Sequence, residues 1–329
     1  MKEKILHLLK NNEKNFVSGQ KISEGLGVSR TSIWKYINAL KEDGYEIESV
    51  SKRGYRLVSS PDILTFEEIS ESLHTKYIGK SIMYFQSLDS TNNKAKELAN
   101  QLEDGSIIIS EEQTAGKGRL GRNWVSPKYK GIWMSILLKP DVEPMNVPKV
   151  TQIGAAAVIK TLEELNIKAQ VKWPNDIVLN NKKLCGILTE MSGELNLVNY
   201  VIMGIGINVN IDEDDFPQEV KAIATSLKFE LGKYITRKNL VINLLNNFET
   251  LYDEFITEGT IKKSIDICRK NSILLGRDVK IISRGNETLA RAIDLNEDGE
   301  LIVQFTNGII KNIFSGEVSV RGLYGNYTP

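Results

Sequence analysis

Glu112-Gln-Thr-Ala-Gly-Lys-Gly-Arg-Leu-Gly-Arg-Asn-Trp124 is the stretch on which the reading of this 329-residue chain turns. It follows the strand-like run Ser106 to Glu111 and carries GxGxxG at Gly116, Gly118 and Gly121, with an acidic residue, Asp141, twenty positions beyond. A dinucleotide-binding unit needs a helix to begin here, because the helix N-terminus holds the pyrophosphate. Instead Asn123-Trp124-Val125-Ser126-Pro127 and Gly131 lead into another strand, and the phosphate-loop pattern GxxxxGK followed by Ser or Thr is absent. What the loop does have is three cations, Lys117, Arg119 and Arg122, interleaved with its glycines. Glycine lets backbone N–H groups approach an anion closely, and the cations neutralise charge developing on a phosphate. Such a loop suits attack of a carboxylate on the α-phosphate of ATP; taken alone, it reads equally well as an exposed basic loop.

Around this loop, from about Pro61 to Asn271, helical and strand patterns alternate as in a layered α/β structure. Helices are expected over Thr65 to His74, Thr91 to Gln101, Val147 to Leu165, Thr236 to Glu258 and Thr260 to Lys270. Strands are expected over Ser81 to Phe85, Ser106 to Glu111, Trp133 to Leu138, Ala169 to Lys172, Asp176 to Leu179, Lys182 to Glu190 and Tyr200 to Asn208. Thr65-Phe-Glu-Glu68 has the form of a capping box. After Leu275-Gly276 the texture changes to short, closely spaced strands at Asp278 to Ser283, Leu289 to Leu295, Leu301 to Gln304 and Ile309 to Ile313, which fits a small β-barrel.

Before the Ser60-Pro61-Asp62 linker, the chain reads as three short helices, Lys4 to Lys10, Gln20 to Leu26 and Ser29 to Asp43, followed by a hairpin, Tyr45 to Val50 and Tyr55 to Val58. Gly27-Val28-Ser29 is a turn ending in an N-cap serine, and Ile33, Ile37 and Leu40 recur on one helical face. This is a helix-turn-helix pattern. Gln20, Ser29, Arg30, Thr31, Ser32 and Lys35 are its candidate DNA contacts, with Lys52 and Arg53 at the hairpin tip as a wing for phosphates. A structural three-helix module, or one that contacts another protein, is the plain alternative. Trp34 is expected to be partly buried packing.

Composition narrows the remaining choices. Forty-two basic and forty-two acidic side chains cancel, but residues 1–60 hold eleven Lys/Arg against seven Asp/Glu, so the positive excess sits on the helix-turn-helix pattern. The longest apolar runs are strand-length, and charges recur too early for a secretory leader, so neither a membrane span nor export is expected and the cytoplasm is the expected location. Cys185 and Cys268 stand far apart without a CxxC or Cys/His cluster, so no disulfide or metal site is suggested and both read as small buried hydrophobes.

Five segments then combine. Asp89-Ser-Thr-Asn92, the GKGRLGR loop, Lys172-Trp-Pro-Asn-Asp176, Lys183-Leu-Cys-Gly-Ile-Leu188 and Gly204-Ile-Gly-Ile-Asn208 occur in the order and approximate spacing of biotin protein ligases. With the winged helix before them and the small barrel after, the chain resembles the bifunctional biotin protein ligase/biotin operon repressor family over nearly its whole length. The resemblance implies an α+β multidomain protein: a winged helix-turn-helix at 1–61, a central α/β ligase domain with a mixed sheet flanked by helices at 62–271, and a small SH3-like β-barrel at 272–329. Many family members read GRGR where this chain has Gly116-Lys117-Gly118-Arg119, and lysine keeps the charge but loses the planar fork.

Carried over by motif, the resemblance implies a biotin pocket of Ser90, Thr91, Asn92, Gln113, Lys117, Gly118, Arg119 and Lys183. Hydroxyl and amide groups suit the ureido ring, and the cations suit the carboxylate and α-phosphate; simple N-capping by Ser90 and Thr91 is the plainer reading of those two. Arg122, Trp124, Lys172, Asn175, Gly206 and Asn208 are expected near the nucleotide. Trp124 would offer an aromatic face or core packing, and Asn208 a hydrogen bond to adenine or ribose. Lys117, Arg119, Lys183 and Asp176 are the expected catalytic set, with Asp176 orienting or deprotonating the acceptor amine; capping is its alternative. The family also implies biotin, ATP and Mg²⁺ as ligands and a biotin carboxyl carrier domain as acceptor. It further implies operator DNA near biotin-synthesis or transport genes, and an adenylate-bound homodimer. Two rivals remain: a lipoate protein ligase, and a ligand-sensing repressor without catalysis. A nicotinamide oxidoreductase is disfavoured by the missing helix.

Overall fold

Ser18 and Ser29 each precede a run with apolar residues at helical spacing, and each hydroxyl accepts a hydrogen bond from a backbone N–H three residues on, Lys21 at 3.1 Å and Ser32 at 3.2 Å. In the computed structural model, which describes residues 1–12, 15–283, 285–314, 318–322 and 328, these caps open α2 (Gly19–Leu26) and α3 (Arg30–Glu42), after α1 (Lys2–Lys10). The chain falls into two compact units, Met1–Ile63 and Leu64–Pro329.

In the first unit, Ile33, Ile37 and Leu40 of α3 are buried with Ile5, Leu9, Ile22, Ile47 and Leu57. Strands β1 (Glu46–Val50) and β2 (Gly54–Ser59) pair antiparallel as the expected hairpin. The unit is thus a three-helix core with a wing. Trp34 departs from expectation: it is 57% exposed. With Ile33 and Ile37 turned inward, helical rotation leaves position 34 facing water.

The second unit is built on a seven-stranded mixed sheet. Its strands are β3 (Ile82–Phe85), β4 (Ile107–Ser110), β5 (Gly131–Leu138), β6 (Gln170–Lys172), β7 (Asp176–Leu179), β8 (Lys182–Glu194) and β9 (Leu197–Asn208), in the spatial order β3-β4-β5-β9-β8-β7-β6. Only the β3–β4 pair is parallel. Side-chain alternation sorts the faces. Ile107, Ile109, Ile132, Met134 and Ile136 share the main core with residues of the long helices α6 (Val147–Glu164) and α9 (Arg237–Glu258). On the other face Ile108, Leu137 and Ile202 meet Ala95 and Ala99, at the α5 helix (Thr91–Leu98) and its C-terminal end. That second face carries the site described below. The short helices α4 (Phe66–Ile69), α7 (Gln218–Lys221) and α8 (Leu227–Leu231) and the longer α10 (Lys262–Lys270) complete the layer.

The capping box expected at Thr65 does not form. Thr65 makes no side-chain cap, Glu68 is buried and pairs with Lys238 at 2.9 Å, and the helix there is the single turn α4. A long-range ion pair has taken the carboxylate that the box needed. Two further carboxylates fix α9 against the sheet. Glu249 accepts the backbone N–H groups of Lys76, Tyr77 and Ile78 at 2.6, 3.0 and 2.9 Å. Arg237, the first residue of α9, lies 2.5 Å from Glu111 and donates to the Gly131 carbonyl at 3.1 Å, with both charged side chains at most 1% exposed. This buried pair ties the end of β4, the start of β5 and the start of α9 at one point.

The C-terminal segment forms a five-stranded antiparallel sheet of β10 (Asp278–Ser283), β11 (Asn286–Leu295), β12 (Leu301–Phe305), β13 (Ile310–Ile313) and β14 (Val318–Gly322), ordered β13-β12-β11-β10-β14. The sequence patterns contain no counterpart of β14. Residues 315–317, 323–327 and 329 of the expected barrel domain, and 13, 14 and 284 elsewhere, lie outside the described residues. Trp173 Nε1 donates to the Gly299 carbonyl at 2.9 Å and Arg269 pairs with Asp294 at 2.6 Å, so this sheet is keyed into the larger one. Among the described residues, no helix is long and apolar enough to cross a membrane.

The Glu111–Arg237 pair generates a stability prediction. Removing one partner leaves a buried, uncompensated charge, so Arg237→Met should lower unfolding free energy by about 3–5 kcal/mol in urea titration. Glu111→Gln combined with Arg237→Met should recover part of that loss.

Candidate active site

β9 passes the centre of the sheet with Gly204 and Gly206 two residues apart, hence on one face. A Cβ at 204 would collide with the Asn92 amide, and one at 206 would lie 2.5 Å from Trp124 Nε1. Gly186 of β8 stands in register with Gly206 and would meet the same indole at 3.0 Å. The missing side chains therefore make a floor on which Asn92 and Trp124 rest. Trp124 also meets Trp133 edge to face at 6.5 Å between centroids, and Lys183 Nζ stands 5.1 Å from its ring centroid.

Above that floor the start of α5 supplies a polar corner. Ser90 caps the helix through the Asn93 N–H, which explains its place locally. Gln113 Oε1 accepts from the Thr91 backbone N–H at 2.9 Å and from Thr91 Oγ1 at 3.2 Å, while its Nε2 donates to Ser126 Oγ at 2.9 Å. Asn92 Nδ2 donates to Glu190 at 2.8 Å and Ser135 Oγ donates to Asn92 Oδ1 at 2.6 Å. Lys96 holds Glu190 from outside at 2.6 Å, and Asn92 and Lys96 together draw the Glu190 carboxyl below its ordinary range despite burial. The corner is fixed before any ligand arrives.

The glycine-rich loop is a tight hairpin: Gly118 N donates to the Arg122 carbonyl at 2.7 Å and Trp124 N to the Gly116 carbonyl at 2.8 Å. Only one 3-10 turn, Arg119–Gly121, lies within it. Its three cations diverge. Lys117 reaches Asn93 Oδ1 at 3.0 Å, Arg119 turns inward to Asn175 Oδ1 at 3.0 Å, and Arg122 is exposed on the cavity rim. Burial lowers the proton affinity of Arg119, and nearby Asp176 opposes that shift.

The segment 172–176 closes the opposite wall. Asn175 Nδ2 donates to the Ile187 carbonyl at 2.9 Å and so crosses from β7's entry to β8. Asp176 and Lys183 pair at 2.6 Å. Lys172 is buried beside them; burial depresses its ammonium to about 8, with Asp176 opposing and Lys183 and Arg321 adding to the shift. Asn208, expected at the nucleotide, donates one Nδ2–H to the Thr225 carbonyl at 2.9 Å, which orients the amide and leaves its Oδ1 and second N–H for a ligand.

These groups line one cavity of about 590 Å³, within the usual range for a small-molecule site. It brings together every residue expected at biotin, nucleotide or the reacting atoms. It also includes residues that sequence reasoning missed. Phe216, Pro217, Val220 and Ile223 form a flap, tethered where Lys130 pairs with Asp215 at 2.5 Å and Lys228 with Asp212 at 2.6 Å. Val320 and Arg321 arrive from β14. Neither group has a sequence signature: the flap contains only the single helical turn α7, and Arg321 is one basic residue in a tail. The lining holds six cations against Asp176 and Glu219, which marks the cavity as a receptor for a polyanion.

Lys172 yields a pH prediction. Its ammonium loses a proton near pH 8 when folded and near 10.5 when unfolded, so between these values the unfolded chain binds more protons and ligand-free stability rises with pH. The cost is fully present below pH 8 and is relieved toward pH 10.5, on the order of 3 kcal/mol in total. Lys172→Met should flatten that rise when denaturation midpoints are compared across the window.

Comparison with known proteins finds three family matches along the chain. Residues 82–208 match the biotin/lipoate A/B protein ligase family, residues 2–56 an HTH domain, and residues 274–321 the biotin protein ligase C terminal domain. The bifunctional ligase/repressor BirA of Bacillus subtilis is 38% identical over 322 residues, spanning 97% of this chain and 98% of that one. BirA of Escherichia coli is 29% identical over 97% of this chain and 96% of its own. Among solved structures, the biotin protein ligase from Aquifex aeolicus in complex with biotin and ATP superposes with a TM-score of 0.65 at 32% identity, covering 74% of this chain and 99% of that one. The chain belongs to the bifunctional biotin protein ligase/repressor family.

Proposed function

We propose that this protein activates biotin with ATP and transfers it to a lysine of a biotin carboxyl carrier domain, and that its first unit represses biotin-synthesis or transport genes. One observation carries the ligase reading: a preorganised polar corner and a cluster of cations share a single cavity. Thr91, Asn92 and Gln113 would meet the ureido ring, with Ser90 holding the helix start that presents them. A lipoyl dithiolane has no groups to pair with such a corner, and burying its polar atoms unpaired is costly, which favours biotin over lipoate.

In the first step the biotin carboxylate attacks the α-phosphorus of ATP and pyrophosphate leaves, giving biotinyl-5′-adenylate. Lys117, Gly118, Arg119 and Lys183 would hold the carboxylate and α-phosphate, Lys117 as a point charge where many relatives have a guanidinium fork. Arg122, Lys172 and Arg321 suit the remaining phosphates. Trp124, Asn175, Gly206 and Asn208 would contact the nucleoside side. The intact cation set speaks against a ligand sensor without catalysis. Among the described residues there is no cluster of three metal-ligating side chains, and Asp176 is a single carboxylate among cations. That donor set fits Mg²⁺ carried in on the phosphates of ATP, where it would offset their charge.

In the second step the acceptor amine attacks the acyl carbon and AMP departs. The ammonium must first lose a proton, and Asp176 is the group at hand. Its pairing with Lys183 supports a sequence: once the adenylate phosphate engages Lys183, the Asp176 carboxylate is released to take that proton. The flap around Val220 and Ile223, together with Trp124, would keep water from the mixed anhydride.

For repression, Arg30, Thr31 and Lys35 lie exposed on α3 beside Gln20, Ser29 and Ser32, with Lys52 and Arg53 on the wing. Arg53 is held 4.3 Å over the Phe16 ring, which presets its direction. An adenylate-bound homodimer on a two-fold operator is the assembly this reading requires. The proposed division of labour is residues 1–61 for DNA, 62–271 for ligation and 272–329 for completing the cavity.

Biotin-dependent exchange of pyrophosphate into ATP tests the first half, and complete absence of exchange in purified protein would refute it. Lys183→Ala should cut exchange by about 100-fold or more. Asp176→Asn should leave adenylate formation closer to wild type but slow single-turnover transfer to the carrier by about 100-fold. For the DNA half, Arg53→Ala should weaken duplex binding and reduce the slope of log affinity against log salt by about 1.

A further inference from the structure

We infer that Trp34 reads the operator directly, by closing its indole on thymine 5-methyl groups in the major groove. The inference rests on the repressor reading of the first unit and adds to it a residue and a base chemistry.

Trp34 is 57% exposed, while its neighbours Ile33 and Ile37 are at most 1% exposed. Helical rotation places it with Arg30, Thr31, Lys35 and Asn38 on the face opposite the core, and the first four of these five positions in sequence order are exposed. Folding gains little from an indole in that position, so its apolar surface remains available to a partner. The face around it is cationic through Arg30 and Lys35, and Lys52 and Arg53 add charge at the wing. A second copy docking here two-fold would set these cations against their own counterparts, which is repulsive; a duplex would neutralise them. On the floor of the major groove the thymine methyl is the apolar group among hydrogen-bonding edges. Position 34 lies in the second turn of α3, within reach of the bases once the helix N-terminus enters the groove.

The test uses the full chain with biotin and MgATP, and a duplex enriched from a randomised pool by the wild-type protein. Affinity is measured on that duplex and on copies with deoxyuridine at single thymines, which deletes one methyl each. Wild type should lose about fourfold at one or more thymines. Trp34→Ala should bind the thymine duplex more weakly and show no further loss at the same positions, while Trp34→Phe should keep part of the methyl dependence. An unchanged circular dichroism spectrum and unchanged resistance of the first unit to limited proteolysis in both variants would establish that they are folded. The inference falls if Trp34→Ala binds like wild type, or if its loss and the deoxyuridine losses simply add, as they would for a ring resting on the sugar-phosphate backbone. Failure of wild type to enrich any duplex would remove the repressor reading itself, and this inference with it.

Discussion

Charge in the cavity is the constraint on which the chemistry depends. Lys172, Lys183 and Arg119 gather around Asp176 as their close counter-charge, while Arg122 stands on the rim and Arg321 approaches from the C-terminal sheet. Burial already weakens the hold of Arg119 and Lys172 on their protons. The lining carries more positive than negative side chains, so the phosphates of a nucleotide are the kind of charge it favours. The same imbalance gives Asp176 its two successive partners, first Lys183 and then an incoming amine.

Keeping like charges together requires a rigid frame, and the frame comes from the sheet. The glycines of β8 and β9 let Trp124 and Asn92 lie against bare backbone, so the aromatic wall and the polar corner sit at fixed heights above the strands. Glu111 and Arg237 clamp β4, β5 and α9 beneath the entrance of the glycine-rich loop. Gln113 then bridges that loop to the first turn of α5. Groups far apart in sequence thus share one hydrogen-bonded scaffold.

The first unit separates its tasks more simply. Its core residues recur at helical spacing and its outward residues carry charge, so the same periodicity that folds α3 also decides what it shows to a duplex. Trp34 departs from the apolar-inward patterning of α3, and an exposed indole among cations is better accounted for by a partner than by folding.

Much of this was legible from residue order. Periodicity gave the longer helices and strands to within a few residues, because the amphipathic faces of α3, α6 and α9 and the strand runs of β5 and β9 are strong local signals, whereas the short α7, α8 and β14 had no counterpart in the pattern. The five motifs gave the family and the chemistry, since reactive residue types at characteristic spacing reflect local backbone needs: a cap at Ser90, bare glycines at 204 and 206, a charged loop at 117–122. Local pattern was silent wherever a partner lay far along the chain. It assigned Glu68 to a capping box that Lys238 dissolved and Trp34 to packing that helix rotation denied it. Nor could it bring Arg321 and the flap at 216–223 to the cavity, because β14 and α7 are too short to show a periodic pattern and are placed by contacts made far along the chain. Sequence alone therefore determined the elements and the reacting groups; tertiary structure decided which of those groups are already paired, how their charges bear on one another, and which distant side chains complete the site.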